Sequence, residues 1–361
     1  MAKARLLAPW VEHERRSAMY HVVSRVIHRQ FLLKDAEKEQ FVRYMRLYEA
    51  FCGVRVLSYC VMTNHFHILV EVPPKMDKEL SDEALVKKLS ILYSEEFVRQ
   101  ESARLRELSE STTVKGKKAY LELRAKYTRR MWDLGQFMKT LKQRFSTWYN
   151  ARHGQSGTLW EARYKSVLVE DGHAVRVMAA YIDLNPVRAG MVKDPKDYRW
   201  CSYGSAVAGG AQGKFSRRGL CRVMEERDNS VRRSESDSAY DGWLGYEALT
   251  NDRWREVAGR YRLILFEDGE ERIDIDGKAK RRGINREAVE YEIKRGGELA
   301  LSEVLRCKTR WFMDGGVVGG KEFVREVITG LRGVYLSENR KSKGSQVPDY
   351  RGKLWSMRQL D

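Results

Sequence analysis

Apolar strands interspersed with amphipathic helices predict an α+β fold for this chain. The clearest strand is Ser58–Val72, which is rich in β-branched and aromatic residues and ends at Pro73. Before it, residues 35–51 have the spacing of an amphipathic helix, whose apolar stripe consists of Phe41, Tyr44, Met45 and Tyr48. After it, residues 78–150 have helical patterning, so we expect a sheet covered by helices.

Shorter apolar segments complete the predicted sheet, around Tyr20–Val26 and at Val167–Val169. Between them, the stretch Phe137–Asn150 is amphipathic, with aromatic side chains on one face and cations on the other. A further helix is predicted at Ala174–Ile182, with Asp171 as its N-cap.

A change in composition divides the chain. Gly and Ala dominate residues 206–214 and polar residues dominate 230–238, so we expect residues 206–239 to form a linker. Residues 240–361 are expected to form a second unit that is basic and mainly helical, ending in a disordered tail from Ser337. Its helices are predicted at residues 285–296, 299–310 and 320–332.

The chain is strongly basic. Its 361 residues include 67 Lys and Arg against 50 Asp and Glu, a net charge of +17. Such a field attracts polyanions, so nucleic acid is the first partner to expect and an anionic membrane surface the second. No apolar run approaches the roughly eighteen residues of a spanning helix. With scattered cysteines and no signal-like N-terminus, a cytoplasmic location associated with the nucleoid is expected.

Two histidines lie at alternate positions of the clearest strand. Because side chains alternate along a strand, His65 and His67 point to one face and Phe66 to the other. Their backbone positions are about 7 Å apart, close enough for the rings to converge on one metal ion or one phosphate. An isolated pair of this kind is more often a coincidence, so the interpretation depends on a second segment downstream.

Cations and aromatic residues suggest where a nucleic acid would lie. His21 and Arg25 share one strand face by parity, and the aromatics between residues 160 and 165 alternate with cations, a pattern that suits single-stranded DNA. The alternative, in which Trp160 and Tyr164 anchor a loop to the core, is equally open. The residues expected to contact DNA are Arg25, Arg29, Lys142, Arg144, Trp160, Arg163, Tyr164, Lys165 and Arg188.

The second segment carries Tyr181 and Asn185, which are four residues apart and therefore lie near one face at a helix end. A tyrosine with an ordinary pKa of about 10 is a poor nucleophile, but a divalent metal that polarises a phosphodiester makes its attack feasible. Two imidazoles and an amide oxygen suit Mg²⁺ or Mn²⁺, with Mn²⁺ the better match to imidazole.

These motifs resemble a known family. His65-Phe-His67 is similar to the His-hydrophobe-His motif of HUH single-strand endonucleases. Together with Tyr20-His-Val, residues 159–170 and Tyr181–Gly190, it resembles the single-tyrosine transposases and, more narrowly, the REP-associated tyrosine transposases. The resemblance covers about residues 15–205, with a helical insertion at about 78–150.

The resemblance implies a ferredoxin-like (RRM-like) domain with the histidines on a central antiparallel strand and the tyrosine on a helix beside them. It implies that His65, His67 and Asn185 bind the metal and that Tyr181 is the nucleophile. The implied activity is cutting and rejoining of single-stranded DNA at hairpin, REP-like sites through a 5′-phosphotyrosine intermediate, by a monomer or homodimer.

Two other functions remain open from the residues. A non-catalytic DNA-hairpin-binding regulator would retain the fold and the basic surface, but it has no evident need for His65, His67, Tyr181 and Asn185 together. A zinc hydrolase would need a further ligand motif and a positioned base, which the sequence does not offer. For residues 240–361, an accessory DNA-binding unit is expected, with a purely stabilising lobe as the alternative.

Overall fold

The computed structural model describes residues 8–10, 16–74, 80–225, 251–269, 272–273, 279–281, 289–290, 316–331, 345–346 and 354–357. The first half of the fold comprises β1 (Ala18–Arg25), α1 (Asp35–Cys52), β2 (Arg55–Val61), β3 (His65–Val72), α2 (Asp82–Leu89), α3 (Glu95–Ser109), α4 (Val114–Thr128), α5 (Leu134–His153) and β4 (Lys165–Val169).

The second half begins with α6 (His173–Asp183), the short α7 (Asn185–Arg188), α8 (Ser202–Ala208), α9 (Gly210–Met224) and α10 (Asn251–Gly269). It continues with β5 (Arg272–Ile273), β6 (Ala279–Arg281), β7 (Val317–Gly319), α11 (Lys321–Gly330), β8 (Ser345–Gln346) and β9 (Trp355–Met357).

A seven-stranded sheet in the order β2-β3-β1-β4-β7-β9-β8 forms the centre of the described structure. Its first four strands are antiparallel to their neighbours, and they have the order and connectivity of a ferredoxin-like sheet. The predicted α+β class and central antiparallel sheet are therefore confirmed. The strand that carries His65 and His67 lies between β2 and β1, so it is paired along both edges.

The two faces of the sheet are covered by different helices, as the alternation in β3 requires. Phe66, Ile68 and Val70 pack with the buried aromatic stripes of α1 and α5 in one core. Leu69 belongs to a second core with α6, α8, α9 and α10. Because His65 and His67 share parity with Leu69, they lie on the face that α6 covers. The predicted inward positions Phe41, Met45, Phe137, Leu141 and Phe145 are fully buried.

The structure overturns the predicted linker over residues 206–224. These residues form the end of α8 and all of α9, and α9 packs against β2. The glycines that suggest a linker instead permit close packing: a Cβ on Gly219 would meet the Leu57 carbonyl oxygen at 2.4 Å, and one on Gly213 would meet that of Ser205 at 2.7 Å. The rest of the predicted linker, except residue 225, lies outside the described residues.

The C-terminal extension also differs from a separate helical unit. Strand β7 pairs in parallel with β4 and antiparallel with β9, so the extension continues the same sheet. Helix α11 confirms the helix predicted at 320–332. The helices predicted at 285–296 and 299–310 lie almost entirely outside the described residues. The tail predicted to be disordered contributes β8 and β9, because these strands find partners only in the folded sheet.

Candidate active site

Three histidines meet on the sheet face that α6 covers. In the antiparallel register of β1 and β3, Arg25 lies opposite His65 and Val23 lies opposite His67. His21, one alternation further along β1, reaches diagonally across, and its Nε2 lies 3.0 Å from His67 Nδ1. The two rings are nearly parallel, with an interplanar angle of 8° and centroids 5.2 Å apart. The shared parity of His21 and Arg25 was the available sequence signal for this neighbour, and it did not specify the contact.

Burial keeps this group neutral. His67 is 1% exposed, and burial, aided by the charges of His65 and His21, holds the pKa of His67 well below its ordinary value. Burial, together with nearby Arg25, lowers the pKa of His65 to about 4. Both imidazoles are therefore unprotonated at neutral pH, which is the form that binds a metal ion.

The hydrogen bond at one ring nitrogen of each imidazole determines whether the other ring nitrogen can bind a metal ion. His65 Nδ1 lies 2.6 Å from Asn64 Oδ1, and because this oxygen only accepts, His65 must donate from Nδ1. The Nε2 atom of His65 then keeps its lone pair. If His67 likewise donates from Nδ1 to His21 Nε2, the lone pair of His67 Nε2 is also available. Ring nitrogens held by a second hydrogen bond in this way are typical of metal ligands.

Tyr181 lies on α6 directly beside these rings. Its ring makes edge-to-face contacts with His67, at a centroid distance of 5.9 Å, and with His21, at 6.0 Å. The Arg188 guanidinium also lies 4.3 Å from the centroid of the tyrosine ring. The side chain is 2% exposed, so a phosphodiester can reach its hydroxyl only when the surrounding groups separate. The structure thus brings together the tyrosine and the histidine pair that the sequence singled out.

Asn185 lies at the end of the tyrosine helix. Its Nδ2 donates to the Tyr181 carbonyl at 3.0 Å and to the Ile182 carbonyl at 3.1 Å. These bonds attach the Asn185 side chain to the last turn of the tyrosine helix. Because they use the amide nitrogen, the amide oxygen is the atom that would bind a cation.

The residues fit a divalent metal in their chemistry. Two neutral imidazoles, each able to offer a ring nitrogen, and one amide oxygen form a mixed nitrogen and oxygen donor set. In the part of the chain that the structure describes, no group of three His, Cys, Asp or Glu residues has the geometry of a metal site. An asparagine oxygen, water or phosphate would have to complete the coordination here.

A buried ionic cluster fixes the other end of α6, and it was not predicted. Arg222 of α9, 1% exposed, donates to Asp171 Oδ2 at 2.6 Å and to Glu71 Oε1 at 3.3 Å. Arg55 also lies 3.3 Å from Glu71. Asp171 was expected to cap the tyrosine helix, but Gly172 occupies that position and the carboxylate binds Arg222 instead. The partners are too far apart in sequence for local patterning to pair them.

The predicted DNA-contacting residues divide into two groups. Trp160 and Tyr164 are buried, at 7% and 6% exposure, and Trp160 packs against Phe41, Phe66 and Phe145. Their rings are not available to stack on bases, so the structure supports the alternative in which they anchor the loop. Lys142 donates to the Ala162 carbonyl at 2.9 Å and holds the same loop.

The other predicted cations are accessible. Arg29, Arg144, Arg163 and Lys165 are exposed, while Arg25 and Arg188 are half-buried beside the histidines and the tyrosine. The structure therefore brings Arg25 and Arg188 into the candidate site and leaves the four exposed cations on the surface, where sequence alone placed them.

The fold and the site define a ferredoxin-like α+β protein in which a histidine-pair strand lies beside a tyrosine helix. The family model described as IS200-like transposase matches residues 14–112, or 99 of the 361 residues. The match includes both histidines and ends before Tyr181. It confirms, for this part of the chain, the predicted relationship to the transposases.

A similarity is found to a solved structure described as that of a REP-associated tyrosine transposase bound to a REP hairpin. The identity is 15%, the match covers 64% of this chain and 95% of that one, and the TM-score is 0.36. A search of curated protein sequences finds no match. Among the described residues, no helix is long and apolar enough to cross a membrane.

Proposed function

We propose that this protein is a metal-dependent transposase that cuts and rejoins single-stranded DNA at hairpin, REP-like sites. The observation that carries the proposal is the convergence of Tyr181 with His65 and His67 on one face of the sheet. A nucleophile must lie within reach of the groups that activate its target, and here the tyrosine ring contacts one histidine of the pair directly.

In this mechanism His65, His67 and the Asn185 oxygen would hold Mg²⁺ or Mn²⁺. The bound cation would polarise the scissile phosphodiester and stabilise the charge that develops on its oxygens. Tyr181 Oη loses its proton to solvent and forms a bond to phosphorus while the bond from phosphorus to the 3′ oxygen breaks. The products are a 5′-phosphotyrosine and, after protonation, a free 3′-hydroxyl. The reverse attack by a 3′-hydroxyl releases the enzyme and rejoins the DNA.

Other features of the chain support a DNA substrate. The net charge of +17 favours a polyanion, and Arg25 and Arg188 lie beside the histidines and the tyrosine, where they suit contact with phosphates. The preference for hairpins rests on the resemblance to the REP-associated tyrosine transposases. A cytoplasmic, nucleoid-associated enzyme acting as a monomer or homodimer fits this function.

The test is incubation with labelled single-stranded DNA hairpins from the sequence flanking the gene, with Mn²⁺ or Mg²⁺, followed by denaturing electrophoresis. We expect a slowly migrating covalent species that disappears with EDTA, in Tyr181→Phe and in His67→Ala. Tyr149→Phe is the matched control, because Tyr149 is equally buried but belongs to the core on the opposite face of the sheet. A covalent species of full yield in Tyr181→Phe would refute the nucleophile, and binding without any covalent species would favour the regulator.

A further inference from the structure

One aromatic side chain stands apart from the others. Phe31 is 74% exposed, and among the residues whose exposure the structure describes it is the only aromatic side chain that lies mostly in solvent. It belongs to the segment that joins β1 to α1, which we call the Phe31 loop and define as residues 26–33. Single exposed apolar side chains are common on protein surfaces, so Phe31 is informative only through its place beside the candidate site.

The Phe31 loop is fixed beside the candidate site. The Val26 N–H donates to the Asn64 carbonyl and the Leu33 N–H to the Thr63 carbonyl, both at 2.9 Å. Between them, the Asn64 side chain donates to the Arg29 carbonyl at 3.1 Å. The same Asn64 side chain accepts from His65 at 2.6 Å. One asparagine thus connects the loop to the first histidine of the pair.

The loop holds its shape with strained backbone. His28 and Arg29 adopt φ values of 53° and 55°, the left-handed region that residues with side chains rarely occupy. Two such residues in succession turn the chain sharply before Phe31. Strain of this kind persists where surrounding contacts fix it, and it is concentrated at functional sites. Here the fixing contacts are the hydrogen bonds to Thr63 and Asn64.

The surroundings of Phe31 indicate what it binds. Arg29 is exposed in the same loop, and Arg25, half-buried at the end of β1, lies opposite His65. An exposed aromatic ring on a segment that also carries arginines suits an unpaired nucleobase, which stacks on the ring while guanidinium groups bind the phosphates. The residues that the sequence offered for stacking, Trp160 and Tyr164, are buried. A stacking site on Phe31 supplies what those residues do not.

We propose that the Phe31 loop is a base-stacking subsite, in which Phe31 stacks on an unpaired nucleobase of the DNA strand that passes the histidine pair. The inference rests on the proposed function and deepens it. It says that the DNA bound next to the cleavage site is single-stranded rather than paired. Phe31 would position the strand, while Tyr181 and the histidines carry out the reaction.

The test measures DNA binding in a Tyr181→Phe background, so that no covalent capture occurs. The probes are a fluorescent hairpin with single-stranded flanks and the same hairpin without flanks, and the readout is anisotropy. Because stacking contributes about 1–3 kcal/mol per base, Phe31→Ala should weaken binding of the flanked hairpin by about tenfold. Binding of the flankless hairpin should not change, and Phe31→Trp should retain the affinity of the parent.

Two comparisons make the result specific. Leu121→Ala is the matched control, because Leu121 is an exposed apolar side chain, at 58%, on α4 of the helical insertion; its affinity should equal that of the parent. An abasic site in the DNA at the stacked position should lower the affinity of the parent protein as much as Phe31→Ala does. The same abasic site should not lower the affinity of the Phe31→Ala protein further.

Several outcomes would overturn the subsite. They are equal affinity of Phe31→Ala and its parent for the flanked hairpin, an equal loss on both hairpins, or a changed oligomeric state with unchanged affinity, which would make Phe31 a contact between copies. Formation of the covalent adduct by the wild-type protein is measured separately. If the adduct forms but Phe31→Ala does not change DNA affinity, the subsite alone is refuted. If the protein forms no adduct and does not bind the DNA, the proposed function and the subsite are refuted together.

Discussion

Tyr261 donates a hydrogen bond of 2.6 Å to the Asp183 carboxylate, and this bond joins α10 of the C-terminal extension to the last residue of the tyrosine helix. Asp183 also accepts from the Tyr203 N–H at 3.0 Å, and both Tyr261 and Asp183 are completely buried. The extension therefore helps to hold the helix that carries Tyr181. This contact favours the stabilising alternative for α10 over a detached DNA-binding unit.

Tyr261→Phe should destabilise the protein by about 1–3 kcal/mol, because it leaves a buried carboxylate oxygen without its hydroxyl donor. Urea denaturation measures this change, and adduct formation should slow at conditions in which the variant is still folded. Tyr120→Phe is the matched control, since it removes a hydroxyl that bonds Asp82 in the helical insertion. A Tyr261→Phe protein with normal stability would show that α10 does not support α6.

Arg222→Met should be more severe than Tyr261→Phe. Removing one member of a buried ion pair leaves a buried charge uncompensated and typically costs about 3–5 kcal/mol. Here Glu71, which is fully buried, would lose its ion pair with Arg222 and keep the one with Arg55. Thermal unfolding should reveal the loss, whereas Lys214→Met, at an exposed position of the same helix, should unfold like the wild type.

His21→Ala should weaken metal binding by about 10–100-fold, as is usual when a residue that orients a metal-bound histidine is removed. The reason is the 3.0 Å contact between His21 and His67, which fixes the ring that would bind the metal. Calorimetric titration with Mn²⁺ measures the affinity without DNA. His153→Ala at the end of α5, where His153 bonds Glu37, is the control, and an equal affinity of His21→Ala and wild type would contradict the prediction.

Glu170→Gln should change how stability depends on pH. Burial raises the pKa of Glu170, although the Gly320 N–H that it accepts opposes this effect. A raised folded pKa stabilises the protein below the ordinary value of about 4.3, and this contribution is lost as the pH rises through the folded value. The gain in stability from Glu170→Gln should therefore grow between about pH 4 and neutrality. Glu122→Gln, at an exposed carboxylate on α4 of the helical insertion, is the control in the same denaturation curves.

Local patterning was sufficient for the first half of the fold. Alternation placed His65 and His67 opposite Phe66, helical spacing placed Phe41 and Phe137 in the core, and both expectations hold because each depends on a single element. Patterning was misleading where the role of a residue depends on its tertiary contacts. Gly213 and Gly219 suggest a linker until their contacts with neighbouring backbone are seen, and Trp160 suggests base stacking until its aromatic neighbours are known.

The relationships that sequence could not specify are contacts between distant segments. Arg222 and Glu71 are 151 residues apart, and Tyr261 and Asp183 are 78 apart. Neither pair has a local signal, because a charged or phenolic side chain looks the same whether its partner is a neighbouring residue, a solvent molecule or a distant helix. The tyrosine and the histidines were recognised through their resemblance to a family, and their contact required the structure.

The pairing of β7 with β4 means that the region resembling the transposases is not a unit of folding. In a fragment ending at residue 205, β4 would become an open sheet edge, because Leu168 and Glu170 would lose the carbonyl partners Gly316 and Val318. The apolar face of α6 that α9 and α10 cover would become exposed as well. Such an edge and surface promote aggregation. We therefore expect a fragment that lacks the extension to aggregate, although it would keep the histidine pair and the tyrosine.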